Sequence, residues 1–420
     1  MGVNRIEGRL IGHDALFTTE SIPDGWTADD LVWSYGAEVT ALSAFDNSIA
    51  LHLEPGELDG DPGRLTQSPE TAFLRIENRT TTSAAGTEQN LTLTRALGSR
   101  TVTISGTLPR LGKVWNGEVA APEPSLFATT LLAEALQRQG ITLADSVSVS
   151  RAALPKDLRP IASIHGPGIE DQIRFINKDS QNLHAETLLR RLGLAVNGDA
   201  SVASSLRARE SFMKAQGVRF EGSAMYDGSG LSRGDLITVR SEVDLLMAMS
   251  KHRLAAAFRA SLPIAGVDGT LKRRMVGTKA EGRVFAKTGS LSSVNALAGY
   301  IDAASGRRLA FADAPPQLRE RFVKGSIVGS ERVATAEVTD AHERGACGEA
   351  GEDGGPAHGR RSDCQPDVRG RGERTGAVPQ LGLQALEDGA EDRQGVRPVA
   401  VDGGLHEIHD PVEVLMDRGS

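Results

Sequence analysis

The stretch Arg283-Val-Phe-Ala-Lys-Thr-Gly-Ser-Leu-Ser-Ser-Val-Asn-Ala-Leu-Ala-Gly-Tyr-Ile301 decides how this chain is read. Val284 and Ala286 alternate in a first strand, Lys287-Thr288-Gly289 is expected to close it, and Val294 to Ile301 runs back as a second strand. A lysine, a hydroxyl and a glycine at a strand end suit recognition of a carboxylate. The ammonium attracts the anion, the hydroxyl donates a hydrogen bond, and glycine lets a ligand approach the backbone. Alone, the tripeptide reads more simply as a solvated strand end.

About a hundred residues upstream stands Asp179-Ser-Gln-Asn-Leu183. Ser-x-Asn followed by Lys-Thr-Gly is two-thirds of a motif set used by serine acyltransferases. The flanks extend the match: Asn177-Lys-Asp-Ser-Gln-Asn-Leu-His-Ala-Glu-Thr-Leu-Leu-Arg190, Tyr226-Asp-Gly-Ser-Gly-Leu-Ser-Arg233, and Leu262-Pro-Ile-Ala-Gly-Val-Asp-Gly-Thr-Leu271. Asp24-Gly-Trp26, Tyr35-Gly-Ala37 and Ala41-Leu-Ser43 add earlier pieces. From about residue 5 to about residue 312 the chain resembles the D-alanyl-D-alanine carboxypeptidase/endopeptidase group, the low-molecular-mass class C penicillin-binding proteins. The resemblance implies an α+β penicillin-binding, serine β-lactamase-like domain of antiparallel sheet and helices, carrying an all-β insertion.

The bounds agree with a sizeable folded body. The chain has 420 residues and net charge −8, but residues 341–420 hold 16 acidic residues against 9 arginines, hence −7 of that total. The rest is nearly neutral, which argues against nucleic acid as a partner. No apolar run approaches a membrane span. Met1-Gly-Val-Asn-Arg5 lacks the apolar core of a secretory signal. Both cysteines, Cys347 and Cys364, lie in the acidic tail.

Residues 1–165 read as the β-rich insertion with one helix. Ile49, Leu51 and Leu53 alternate, as do Leu91 with Leu93 and Val102 with Ile104. The helix is expected at Ser125–Gln139 with Gly140 closing it, and Ser146–Ser150 as a strand turning Val147 and Val149 inward. Trp26 and Trp33 read as packing residues. Residues 166–312 read as a partial transpeptidase-like domain. Ser180-Gln-Asn182 opens a helix ending at Gly193, where Asp179 or Ser180 could equally be an N-cap. Further helices are expected at 203–215 and 240–258. Asp227-Gly-Ser-Gly-Leu-Ser232 is turn chemistry, Asp268-Gly-Thr270 a turn and cap, and His252 receives no role. Ser211-Phe-Met-Lys214 is formally Ser-x-x-Lys, but it follows the Ser-x-Asn, the wrong order for a nucleophile. From 313 to 420 the composition loses its period and, after Phe322, all aromatics. That tail is expected to be disordered, read as an out-of-frame stretch or as a natural acidic tail.

The resemblance also assigns roles. Ser180 would sit in the proton-shuttling network, Asn182 would bond the substrate's amide carbonyl, and Lys287 with Thr288 would hold the terminal carboxylate. Gly289 would leave room for the ligand, and the Ser290 N–H would form half of an oxyanion hole. No metal or cofactor is implied. The substrates would be peptidoglycan stem peptides and β-lactams in the periplasm. The nucleophilic serine and its lysine find no counterpart here, so the expectation is a domain truncated at both ends and doubtful in turnover. The alternatives are a non-catalytic module binding muropeptides or β-lactams, and a gene fragment without activity.

Overall fold

The computed structural model describes residues 3–17, 20–156, 158–291, 294–313, 333–338 and 414–416. In chain order, β1 (Arg5–Ile6) and β2 (Leu10–His13) precede a sheet-rich stretch: β3 (Ser48–Glu54), β4 (Arg64–Ser68), β5 (Arg75–Ser83), β6 (Asn90–Thr94), β7 (Thr101–Pro109) and β8 (Trp115–Ala120). Two three-stranded sheets result, ordered β4-β3-β8 and β5-β7-β6. The alternation read from the sequence is the reason. Ile49, Leu51 and Leu53 all turn inward at no more than 1% exposure, as do Val102 and Ile104 of β7. Burying such side chains stabilises by roughly 1.5–3 kcal/mol each. Helix α1 (Pro124–Arg138) closes this core with Phe127 and Leu131, and Gly140 (φ +80°) ends it.

β9 (Thr142–Leu143) and β10 (Val147–Ser150) pair in parallel with β1 and β2. Val149 is 37% exposed, so the expected inward pair is not formed: this two-stranded ribbon buries neither valine completely. β11 (Arg159–Ala162) leads to the helical half: α2 (Ile169–Phe175), α3 (Asn182–Asn197), α4 (Val202–Ala215), α5 (Val239–Lys251) and α6 (Ala255–Ser261).

Two helix boundaries differ from expectation. α3 passes through Gly193 and ends before Gly198, whose φ is +69°. Gly193 is instead where α4 approaches: a Cβ there would lie 2.1 Å from Ser205 Oγ. The long helix over 240–258 is two, because His252 leaves helical geometry (φ −74°, ψ 152°) and its Nδ1 accepts the Leu254 N–H at 3.2 Å.

The last sheet is antiparallel, ordered β12 (Val284–Leu291), β13 (Val294–Asp302), β14 (Arg308–Asp313), β15 (Val333–Val338). Lys287-Thr288-Gly289 does not close the hairpin. It lies within β12, paired with Ala298, Leu297 and Ala296. One face of the sheet packs Tyr300 and Ala310 on Leu246 and Leu262; the other packs Val284, Ala286 and Phe311 on Ala265 and Leu271. The expectation of disorder from 313 onward does not hold for two stretches: β15 extends this sheet, and β16 (Val414–Met416) pairs with β11. Cys347, Cys364 and the rest of that tail lie outside the described residues. Among those described, no helix is long and apolar enough to cross a membrane.

Candidate active site

The Ser-x-Asn segment sits at a break between helices. α2 runs into a single π-turn, Ile176–Ser180, closed by Gln181 N–H donating to Ile176 O at 3.1 Å. Ser180 then turns left-handed (φ +62°), a conformation costing a non-glycine residue roughly 1–2 kcal/mol. The N-cap of α3 is neither Asp179 nor Ser180 but Gln181, whose side chain accepts the Leu183 N–H at 3.1 Å. Relieved of capping, Ser180 Oγ accepts from Lys287 Nζ at 2.6 Å, across 107 residues of sequence.

Alternation along β12 explains the site's two sides. Lys287 projects toward the helices and meets Ser180. Thr288 projects to the opposite face, where its Oγ1 donates to Thr270 Oγ1 at 2.9 Å. β12 is the sheet's edge strand. Ala286 N–H donates outward to Pro263 O at 2.9 Å, and Val284 O accepts from Ala265 N–H at 3.0 Å. Residues of the same parity, Thr288 and Ser290, therefore aim their backbone groups off that edge beyond Pro263. Thr288 O receives a second bond from Lys287 Nζ at 2.7 Å. The Ser290 side chain turns back, donating to Asn295 Oδ1 at 3.1 Å. Gly289 is exposed, and a Cβ there would meet only Ala296, at 3.5 Å.

Asn182 is held differently from its neighbours. Its Nδ2 donates to Tyr35 O at 2.8 Å, which ties α3 to the β-rich half rather than to Lys287. Lys178 anchors the π-turn from below, donating to Leu262 O at 2.7 Å and to Asp268 Oδ1 and Oδ2 at 2.8 and 2.7 Å. Beside this pair a cavity of about 400 Å³ opens, lined by Asp179, Gly269, Thr270 and Lys272 among others. A larger cavity, about 660 Å³, lies against β3, β4 and β8 and touches the site only through Tyr35. The smaller one adjoins Ser180 and Thr288 through Asp179 and Thr270.

Burial lowers the Lys287 ammonium to about 8, because removal from water penalises its charge. An amine near neutrality that contacts a hydroxyl can pass a proton in either direction. Ser211 and Lys214 lie elsewhere: both are exposed on α4, and Lys214 pairs with Glu210 at 2.7 Å.

Two carboxylates escaped the sequence reading. Asp46 bonds Gln181 Nε2 at 3.0 Å and His184 Nε2 at 2.8 Å, from a turn in which Phe45, Asp46 and Asn47 are all left-handed. Nothing in a run of non-glycine residues announces that geometry. Glu186, fully buried on α3, accepts the N–H groups of Gly228 and Ser229 at 2.8 Å each, while Arg190 Nη1 donates to its Oε2 at 3.2 Å. Here a signal existed: Glu186 and Arg190, one turn apart, share the helix side of Leu183 and Leu189.

An antiparallel sheet flanked by helices, with Lys-Thr-Gly on its edge strand against a Ser-x-Asn break, defines a protein of the penicillin-binding fold. Residues 1–324 match the family model described as the D-Ala-D-Ala carboxypeptidase 3 (S13) family, and the chain belongs to that family. It is 32% identical over 321 residues to a D-alanyl-D-alanine carboxypeptidase of Actinomadura sp. (strain R39), covering 74% of this chain and 60% of that one. With D-alanyl-D-alanine carboxypeptidase DacB of Haemophilus influenzae it shares 25% identity over 316 residues, 74% of this chain and 65% of the relative. The chain thus spans under two thirds of the length of these relatives. The crystal structure of penicillin binding protein 4 (dacB) from Haemophilus influenzae superposes with TM-score 0.62 at 22% identity, over 74% of this chain and 69% of that one.

Proposed function

We propose that this chain is a serine-type D-alanyl-D-alanine carboxypeptidase/endopeptidase module that recognises the D-alanyl ends of peptidoglycan stem peptides, and β-lactams that mimic them, outside the cytoplasm in the periplasm. The observation that carries this reading is the 2.6 Å contact between Lys287 Nζ and Ser180 Oγ. Membership of the carboxypeptidase family supports it, as does the solved complex of penicillin binding protein 4 (dacB) from Haemophilus influenzae with a novel β-lactam. In this reading Lys287 and the Thr288 hydroxyl hold the substrate carboxylate, Gly289 leaves it room, and Asn182 exchanges its Tyr35 partner for the substrate's amide carbonyl. The Ser290 N–H polarises the scissile carbonyl, and Ser180 with Lys287 forms a proton-exchanging pair beside it.

The chain divides, in this reading, into a β-rich unit to about residue 165 and a transpeptidase-like unit from 166 to 312. Turnover in this reading also requires a nucleophilic serine with its own lysine, distinct from Ser180 and Lys287, and among the described residues Ser211 and Lys214 do not approach the site. In this reading Ser180, Asn182 and Lys287 bind and polarise the substrate.

The test pairs two ligands. A peptide ending in D-alanyl-D-alanine should bind reversibly by calorimetry, and Lys287→Ala should weaken it at least tenfold, one charge-assisted bond being worth about 1.5–3 kcal/mol. Fluorescent penicillin should leave no covalent adduct by mass spectrometry. An adduct lost in Ser211→Ala, or peptide binding indifferent to Lys287, overturns the reading.

A further inference from the structure

Between Ala265 and Gly282 the chain makes a closed loop. Gly282 N–H donates to Ala265 O at 2.9 Å, so the two ends meet beside β12. Its inner side is apolar: buried Leu271, with Met275 and Ala280, packs on Ala265, Val284 and Phe311. Its outer side is cationic. Lys272, Arg273, Arg274 and Lys279 are exposed, with Arg283 at the exit, and among the described residues none of the five has an ion-pair or side-chain hydrogen-bond partner. The loop's acids do not compensate. Asp268 is taken by Lys178 at 2.7 Å, and Glu281 accepts the Gly277 N–H at 2.6 Å. Val267 and Val276 stand among these cations at 52% and 58% exposure.

Within a body that is nearly neutral as a whole, unpaired positive charge is thus concentrated on one braced loop. We propose that this loop docks the protein on an anionic lipid bilayer. Each Lys or Arg near such a surface contributes about 1 kcal/mol through the negative surface potential, and apolar side chains beside them gain by entering the headgroup boundary. The two valines favour a bilayer over a soluble polyanion, which would satisfy the cations and leave the valines in water. Docking there would bring the edge of β12 near the membrane, because Thr270 on the loop is bonded to Thr288.

The test is flotation of the full chain with vesicles of phosphatidylglycerol and phosphatidylcholine, against phosphatidylcholine alone. Binding to the first, release by added salt and none to the second are expected. Joint replacement Lys272→Gln, Arg273→Gln, Arg274→Gln and Lys279→Gln should lower partitioning by roughly a hundredfold or more, and Lys279→Gln alone by about fivefold. Val267→Ser with Val276→Ser should weaken vesicle binding severalfold and leave retention on soluble polyphosphate unchanged. Equal binding to both vesicles, or wild-type flotation of either glutamine variant with a native circular dichroism spectrum, overturns the proposal. Vesicle binding that ignores the valines also overturns it, pointing to a soluble polyanion.

Discussion

At the scale of single residues, the site was legible where chemistry fixes residue type and hidden where geometry does. That Lys287 and Ser180 meet was legible because a charged amine and a hydroxyl in paired motifs have few substitutes. Asp46 was missed because its left-handed turn is built from Phe45, Asp46 and Asn47, none a glycine. Lys287 also carries a stability consequence. Its folded-state value, lowered to about 8 by burial, lies below the ordinary 10.5. The uncharged form is thus favoured on folding. The contribution is fully present above about 10.5, and is lost as pH falls through 8, where a charged amine must be kept out of water. The shift amounts to at most roughly 3 kcal/mol, less with partial solvation. Lys287→Met should therefore raise the melting temperature by a few degrees at pH 7, with the gain vanishing near pH 10.5. Calorimetric melts across that range check the sign. A variant less stable at pH 7 means that the Ser180 contact outweighs the desolvation.

At the scale of elements, periodicity placed the cores of strands and helices but not their ends. The β3 alternation held in full because one face of that strand is buried. The end of α3 was misplaced because Gly193 has a packing reason, close approach to Ser205, and only Gly198 has the conformational one. The α5–α6 break at His252 depends on a backbone bond to a ring nitrogen, which no apolar pattern encodes. Inside α3 the Glu186–Arg190 pair is a strong internal constraint. Arg190 is 1% exposed and also donates to Glu20 O at 3.0 Å. Burial chiefly, then Asp227, pushes the Glu186 carboxyl up, against Arg190. Glu186→Gln keeps an oxygen for the Gly228 and Ser229 amides but leaves a guanidinium buried without its anion. The expected loss is about 3–5 kcal/mol by urea unfolding, and adding Arg190→Met should restore much of it. If the single variant unfolds like the parent, water already reaches that pair.

At the scale of the whole molecule, the sequence indicated which segments belong to a family but not what joins the β-rich and helical halves. The run Tyr226–Arg233 looked like turn chemistry and is the clasp. Asp227, fully buried, accepts from the Trp26 indole N–H at 2.9 Å and from the Gly230 and Ser232 N–H groups at 2.7 Å each. Arg233 Nη2 donates to Asp30 Oδ1 at 3.0 Å, and Arg209 donates to Asp227 O at 3.1 Å. Asp235 completes the cluster. Its Oδ1 accepts the Tyr226 N–H at 2.6 Å, but as a carboxylate its Oδ2 is buried without a donor. Burial first, then the hydrogen bond with Asp227 and that neighbour's charge, push Asp235 up to about 8 from 3.8, so it holds a proton that it gives to Asp227. A folded-state value raised above the unfolded one gives a contribution fully present below about 3.8 and lost as pH rises through 8. Asp235→Asn supplies the same donor permanently. The variant should melt several degrees above the parent at pH 8.5 and converge with it as pH falls toward about 4, and taking the difference cancels the opposite trend from Lys287. A difference that stays constant over that range would show that Asp235 is ionised in the folded protein and that the clasp closes without its proton.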